Sequence, residues 1–257
     1  MYLQRLNPSI KACTVVLLII LLAFIFDPVT PMLMIFFTMF ITLAFGKVRW
    51  KTYFLFFIPF SIFAFGMLWT TLIFQKPPTN AADTITVLWW SYPRESLLTA
   101  LALSTRVLAV GSLSLLFIFT TNTIDFILSL IQQCKVPPKI AYGVLAGYRF
   151  LPMMRDEMKL VHAAHRIRGV NEAHSFWGKW KQYSRFAIPL LASAIRKAER
   201  TAMAMESKGF TGDRQRTYYK SFSVVLQDIG FLLLMVAAFA IAAYLSFLLG
   251  YFKWGAS

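Results

Sequence analysis

Five apolar stretches, at residues 10–26, 31–45, 53–74, 97–120 and 224–251, limit this chain more than anything else in it. Crossing some 30 Å of hydrocarbon takes about 20 apolar residues in a helix, because a backbone without water must satisfy its own N–H and C=O groups. The stretches therefore predict an all-α membrane protein with about five transmembrane helices. The first two are short, and the turn at Asp27-Pro28-Val29-Thr30-Pro31 leaves open whether they are two spans or a tilted or re-entrant hairpin. Composition agrees, since 58% of the residues are hydrophobic and only 14% charged, too apolar a mixture for a soluble domain. Arg5 and Lys11 ahead of an apolar run resemble a signal peptide. Asp27-Pro28 stands where a small-residue cleavage site belongs, so the first helix is read as retained.

The charges set the topology. The stretch 121–223 holds 17 of the 26 Lys and Arg and 7 of the 11 acidic residues, so it carries +10 of the net +15. Arg5 and Lys11 precede the first span and Lys47, Arg49 and Lys51 follow the second, whereas 75–96 balances Lys76 and Arg94 against Asp83 and Glu95. Basic connections face the cytoplasm, which places the N-terminus and the long basic region there. Three parts are expected: N-terminal membrane helices at 1–121, a cytoplasmic helical region at 122–223, and a last membrane helix with its tail at 224–257. Confined to a loop between spans, the positive charge suits anionic headgroups rather than nucleic acid. Trp89, Trp90, Tyr92 and Trp254 suit an interfacial belt, and the aromatic and lysine mixture of Phe176-Trp177-Gly178-Lys179-Trp180-Lys181 suits a segment at headgroup level.

Within the basic region the pattern predicts helices. Asn122 or Thr123 caps one that runs through Gln133, with Asp125 in its first turn and Lys135-Val136-Pro137-Pro138 as its stop. A second runs from Lys139 to Pro152, a third from Pro152 to Gly169, and a fourth from near Pro189 to Lys208-Gly209. On the last, Leu191, Ile195, Ala198, Ala202 and Met205 form one stripe, and Ala194, Ala198 and Ala202 let another helix approach closely.

No catalytic set is present. His162 and His165 share a helix face without a glutamate that would complete a zinc-protease motif, and no glycine-rich phosphate loop occurs, so neither metal binding nor ATP hydrolysis is expected of this chain. Cys13 and Cys134 read as buried small apolar residues rather than a disulfide. Arg106, near the middle of the fourth stretch, has two readings: a contact to a partner or substrate path, or packing against backbone carbonyls inside the bundle.

Two helix ends repeat. Ile167-Arg168-Gly169 and Ser207-Lys208-Gly209 align 40 positions apart, each with a cation before a glycine and an apolar residue after it. A cation there complements the helix dipole and glycine supplies the left-handed turn, which is ordinary termination. As a pair on neighbouring helices they also suit two equivalent sockets on a dimeric partner.

These residues, with Leu6-Asn7-Pro8-Ser9-Ile10-Lys11, Tyr148-Arg149-Phe150-Leu151-Pro152, Glu157 and Pro189-Leu190-Leu191, resemble the transmembrane (T) component of energy-coupling-factor importers of vitamins and transition-metal ions. That family carries two Ala-Arg-Gly-like signatures. Both copies here depart at the first residue, and the second has Lys for Arg. The resemblance implies a non-catalytic coupling subunit in a prokaryotic plasma membrane. Ile167, Arg168, Gly169, Ser207, Lys208 and Gly209 would dock two ABC ATPase subunits that hold the ATP and magnesium. Leu191, Ile195, Ala198, Ala202 and Met205 would meet one separate substrate-binding membrane subunit, for a vitamin such as a thiamine precursor or for a metal ion. The competing class is a self-contained secondary transporter or channel with a cytoplasmic regulatory region, which predicts broken helices and polar groups at mid-membrane.

Overall fold

The structure is a computed structural model and describes residues 2–46, 48–74, 84–87, 90–167, 176–213 and 217–251. In chain order it has α1 (Tyr2–Arg5), α2 (Pro8–Phe24), α3 (Val29–Phe45), α4 (Trp50–Ile73), β1 (Thr84–Val87), β2 (Trp90–Pro93), α5 (Arg94–Thr120), α6 (Thr123–Gln133), α7 (Pro138–Ile167), α8 (Phe176–Ser207) and α9 (Leu226–Leu248). Two compact units result, Met1–Ser129 with Phe222–Ser257, and Leu130–Ser221. The first division falls inside α6.

The first unit holds the five apolar stretches as α2, α3, α4, α5 and α9. Trp50–Ile73, Ser96–Thr120 and Leu226–Leu248 are long and apolar enough to cross a membrane, and Pro8–Phe24 and Val29–Phe45 are shorter apolar helices. At about 1.5 Å per residue the shorter pair reaches roughly 26 Å. One element was not anticipated: β1 and β2 pair antiparallel, Thr84 opposite Pro93 and Val87 opposite Trp90, in the loop between α4 and α5. Trp89 and Trp254 lie outside the described residues.

Leu18 and Leu22 of α2, Met34 of α3, Leu113 and Leu116 of α5 and Met235 of α9 are fully enclosed and form the core. On α4 only Tyr53 and Ala64 are buried, while Leu55, Ile62, Phe63 and Phe65 face outward, which costs nothing against lipid tails. Its neighbour is α5, and Gly111 lets the two meet: a Cβ there would lie 2.7 Å from the Phe60 ring. Thr38 and Ser112 share a 2.8 Å hydroxyl hydrogen bond between α3 and α5, and Thr14, Thr42 and Thr120 return their hydroxyls to carbonyls four residues back.

Helices α2 and α9 run parallel, tied at both ends. Where they begin, the Asn7 N–H donates to Asp228 Oδ1 at 2.8 Å. Where they finish, the Ser246 hydroxyl donates to Asp27, whose Oδ2 also accepts from the Thr30 N–H and hydroxyl at 3.1 and 2.7 Å. Asp228 also accepts the Val225 N–H at 2.9 Å, and the Val225 carbonyl accepts the Asp228 N–H, which closes the first turn of α9.

In the second unit α7 and α8 form an antiparallel helical hairpin. Two sequence expectations change here: Pro152 and Pro189 lie inside helices rather than at their starts, and α8 begins at Phe176. An interior proline removes one donor and crowds the carbonyl four residues back, which bends a helix. With three or more hydrogen-bonded turns on each side, both helices continue through it. The capping at α6 is as expected, since Asn122 Oδ1 accepts the Ile124 N–H at 2.9 Å and Lys135, just past the end, has φ +55. Both cysteines are exposed, contrary to the expectation that they are buried. Cys13 falls on the outward side of α2 beside the inward Thr14, and Cys134 follows the last turn of α6.

Candidate docking surface

The helical hairpin is fastened at two points. Midway, the Glu157 carboxylate of α7 pairs with Lys197 and accepts the Ser193 hydroxyl at 2.7 Å. The Lys197 ammonium, and then the Ser193 hydroxyl, hold the Glu157 carboxyl below the usual carboxylate range. Near the start of α7, Tyr142 meets Phe210 edge to face with ring centroids 5.4 Å apart. The Lys139 stem lies so close over Gly212 that a Cβ at that glycine, which has φ +79, would come within 2.4 Å of it.

Those pairings position the end of α8. The Gly209 N–H reaches the Glu206 carbonyl at 2.9 Å and the Phe210 N–H the Met205 carbonyl at 3.0 Å, with Gly209 at φ +83. This is the Schellman arrangement, in which only glycine adopts the left-handed turn without strain. Phe210, the apolar residue after the glycine, packs on Tyr142 and so pins the turn to α7. The Ser207 hydroxyl is returned to the Ala204 carbonyl at 3.1 Å. Lys208 is left exposed on a rigid tip, at the negative end of the helix dipole.

At the end of α7, Ile167 is 87% exposed, while Arg168, Gly169 and the nearby His174 lie outside the described residues. The structure does not bring the two ends together. Glu157 faces Lys197, and about ten further residues run to each helix end in opposite directions. Helix rise then puts the ends roughly 20–30 Å apart.

The apolar stripe of α8 divides. Leu191 and Ile195 are 63% and 50% exposed, and Ile188 beside them 75%. Ala198, Ala202 and Met205 instead line a groove of about 520 Å³ against Tyr142, Gly143 and Gly147 of α7. A Cβ at Gly143 or Gly147 would touch nothing within 4 Å, so the absent side chains are what opens it. Leu151 and Leu160 of α7 are 64% and 69% exposed. Large apolar side chains on both helices of a basic hairpin mark an interaction surface.

Of the two readings of Arg106, the structure bears out carbonyl packing: its guanidinium donates to the Ile25 carbonyl and lies 4.4 Å from the centroid of the Phe26 ring. Sequence reasoning missed the N-terminal polar residues. Lys11, taken as a loop cation, is 1% exposed and donates to the carbonyls of Leu3 and Thr120, both at 2.8 Å. The signal was available, because a lysine at the second turn of an apolar helix that begins Asn-Pro-Ser has to find acceptors. Among the described residues no three His, Cys, Asp or Glu gather in a way that could hold a metal ion.

The family model described as CbiQ, cobalt transport protein, matches residues 1–219. Among similar proteins, the energy-coupling factor transporter transmembrane protein EcfT of Streptococcus equi subsp. equi is 25% identical over 248 residues, 91% of this chain and 88% of that one. EcfT of Bacillus selenitireducens is 25% identical over 240 residues, 88% and 85% of the two chains. EcfT of Exiguobacterium sibiricum is 30% identical over 165 residues, covering 61% of this chain and 63% of the relative. With apolar helices arranged for a multi-pass membrane protein, the chain belongs to the CbiQ cobalt transport family, as an EcfT-like transmembrane component of an energy-coupling factor transporter.

Proposed function

We propose that this chain converts ATP-driven movement of two ABC ATPase subunits into movement of a separate substrate-binding membrane subunit, for import of a metal ion or a vitamin. The observation that carries the reading is the Ser207-Lys208-Gly209 tip, an exposed cation on a helix end made rigid by a Schellman turn and by Phe210. A cation on a rigid end suits insertion into an acidic groove. The sequence pattern repeats at Ile167-Arg168-Gly169, and α7 ends at Ile167 on the far side of the hairpin from Ser207, which suits two sockets on two subunits rather than one. ATP and magnesium belong to those subunits, and this chain takes no part in the hydrolysis. The open part of the α8 stripe, Leu191 and Ile195, with the groove at Ala198, Ala202 and Met205, is the contact for the substrate-binding subunit. In this reading 122–223 is the cytoplasmic coupling region of a prokaryotic plasma-membrane protein, and 1–121 with 224–257 anchors it. The family description names cobalt transport and the relatives' name specifies no solute, which is consistent with either a metal ion or a vitamin.

Co-expression with candidate ABC ATPase subunits tests this. The wild-type chain is expected to purify with two ATPase subunits. A guanidinium forms a bidentate pair with a carboxylate where an ammonium is a point charge, so Arg168→Ala is expected to cost about fivefold in ATPase retention and Lys208→Ala about twofold, from exposed charge-pair losses of up to about 1 kcal/mol. Full retention by both variants, or solute movement by the isolated chain without ATP, overturns the reading.

A further inference from the structure

The chain leaves the membrane unit after Ser129 and returns to it at Phe222. Both crossing points are held by the same few residues at the N-terminus. On the outgoing side, the Ser9 hydroxyl donates to the Ser129 hydroxyl at 2.8 Å, and Lys11 holds the carbonyl of Thr120, the last residue of α5 and just ahead of α6. On the returning side, the Asn7 amide Nδ2 donates to the Ser223 carbonyl at 3.4 Å, and the Asn7 N–H to Asp228. Asn7 also orders its own helix, since its Oδ1 takes the Ser9 N–H at 3.1 Å. Asn7, Ser9, Lys11, Thr120, Ser129 and Asp228 are all buried, Ser129 completely.

This is an unusual concentration of polar side chains for the inside of an apolar bundle, and its members are mutually satisfied. Lys11 completes the carbonyl end of α5, and Asp228 takes two backbone N–H groups at the start of α9. An apolar contact slides under load at little cost, whereas these directional bonds cannot shift without stranding a buried donor or charge. The bonds lie at the two covalent crossings that connect residues 130–221 to the membrane helices, where a pull on the chain is transmitted through the backbone.

We propose that Asn7, Ser9, Lys11, Ser129 and Asp228 form a joint that stays closed through the ATP cycle and delivers the motion of the helical hairpin to α2, α5 and α9. The inference rests on the coupling reading above. These are positioning residues: they touch neither nucleotide nor solute, and they determine whether displacement reaches the membrane helices or is lost as the connections peel away.

The test uses the complex with its ATPase subunits. In a Cys13→Ala/Cys134→Ala background, Ser9→Cys/Ser129→Cys places two thiols where hydroxyls now stand 2.8 Å apart, close enough for a disulfide. Oxidised and reduced forms are expected to hydrolyse ATP at rates within twofold of each other. Arrest on oxidation with recovery on reduction shows that the contact must open, and overturns the proposal. In parallel, hydrogen exchange is followed in peptides covering 5–10 and 222–228, with and without ATP and vanadate. The wild-type complex is expected to show no nucleotide-dependent change, and Asp228→Ala at least a fivefold faster exchange that appears only with nucleotide. A role in folding alone would speed exchange equally in both conditions and overturns the proposal, as does nucleotide-dependent exposure in the wild type. If Asp228→Ala fails to assemble, Ser9→Ala/Ser129→Ala takes its place with the same expectation. Absence of ATPase subunits from the wild-type preparation defeats the coupling reading and this inference with it; a complex that forms but opens at the joint defeats the inference alone.

Discussion

At the residue scale, most buried polar side chains of the membrane unit are engaged, while among the described residues Asp27 Oδ1, Tyr53 Oη, Arg106 Nε and Thr121 Oγ1 are buried without a hydrogen-bond partner. Asp27 accepts from Thr30 and Ser246, so one carboxylate joins the α2–α3 turn to the end of α9. Arg106 lies within reach of its charge while donating to Ile25. Removing one partner of such a group leaves the other buried and uncompensated, which in proteins costs about 3–5 kcal/mol. Asp27→Ala is therefore expected to lower the melting temperature in detergent by about 6–20 °C, taking roughly 2–4 °C per kcal/mol for a chain of this size. An unchanged melting temperature shows that the carboxylate does not hold α9. Gly111 makes the converse case, a side chain that has to be absent. Gly111→Leu would drive into Phe60, whose ring and Cβ lie within 3.1 Å of the added carbon, and overpacking of this kind costs about 1–3 kcal/mol. Loss of thermal stability, relieved by adding Phe60→Ala, checks it.

At the element scale, the α7–α8 hairpin shows which parts of a helical region can be read from its residues. The cap at Asn122 and the glycine after α8 were legible, because a carboxamide accepting an N–H and a residue with positive φ are local requirements. Pro152 and Pro189 misled, because the local cost of a proline is outweighed by long helical flanks that a short window does not weigh. The pairing of Glu157 with Ser193 and Lys197 joins positions 36 and 40 residues apart, beyond any local pattern. It has a pH consequence. The folded Glu157 pKa is below its ordinary value of 4.5, so the contribution of the pairing is complete above that value and is lost as pH falls through the folded one. The hairpin is expected to loosen only as pH falls below the ordinary glutamate range. A spin-label or cross-linking distance between α7 and α8 should broaden there, and in Glu157→Gln the distance should not respond to pH over that range.

At the scale of the whole molecule, one unit holds α2 and α9 tied at both ends, and the other is a helical hairpin whose ends are far apart. If the two ends serve two subunits, exchanging Ser207-Lys208-Gly209 for a copy of Ile167-Arg168-Gly169 is expected to raise ATPase retention severalfold, as a bidentate guanidinium replaces an ammonium; no gain shows that Lys208 does not meet a carboxylate. By itself the sequence determined the helical class, the five apolar stretches and the basic region between the fourth and fifth, because hydrocarbon thickness and helix rise make these properties of composition and length. Ile167-Arg168-Gly169 and Ser207-Lys208-Gly209 were likewise visible as a repeat. Only the tertiary structure decided that the two ends lie apart, that Ala198, Ala202 and Met205 face a groove while Leu191 and Ile195 stay open, and that Lys11 is enclosed. Those outcomes depend on which groups meet across long stretches of chain, as Lys11 meets Thr120 across 109 residues and Asn7 meets Asp228 across 221, and a partner at that distance leaves no period or motif in the residues around either one.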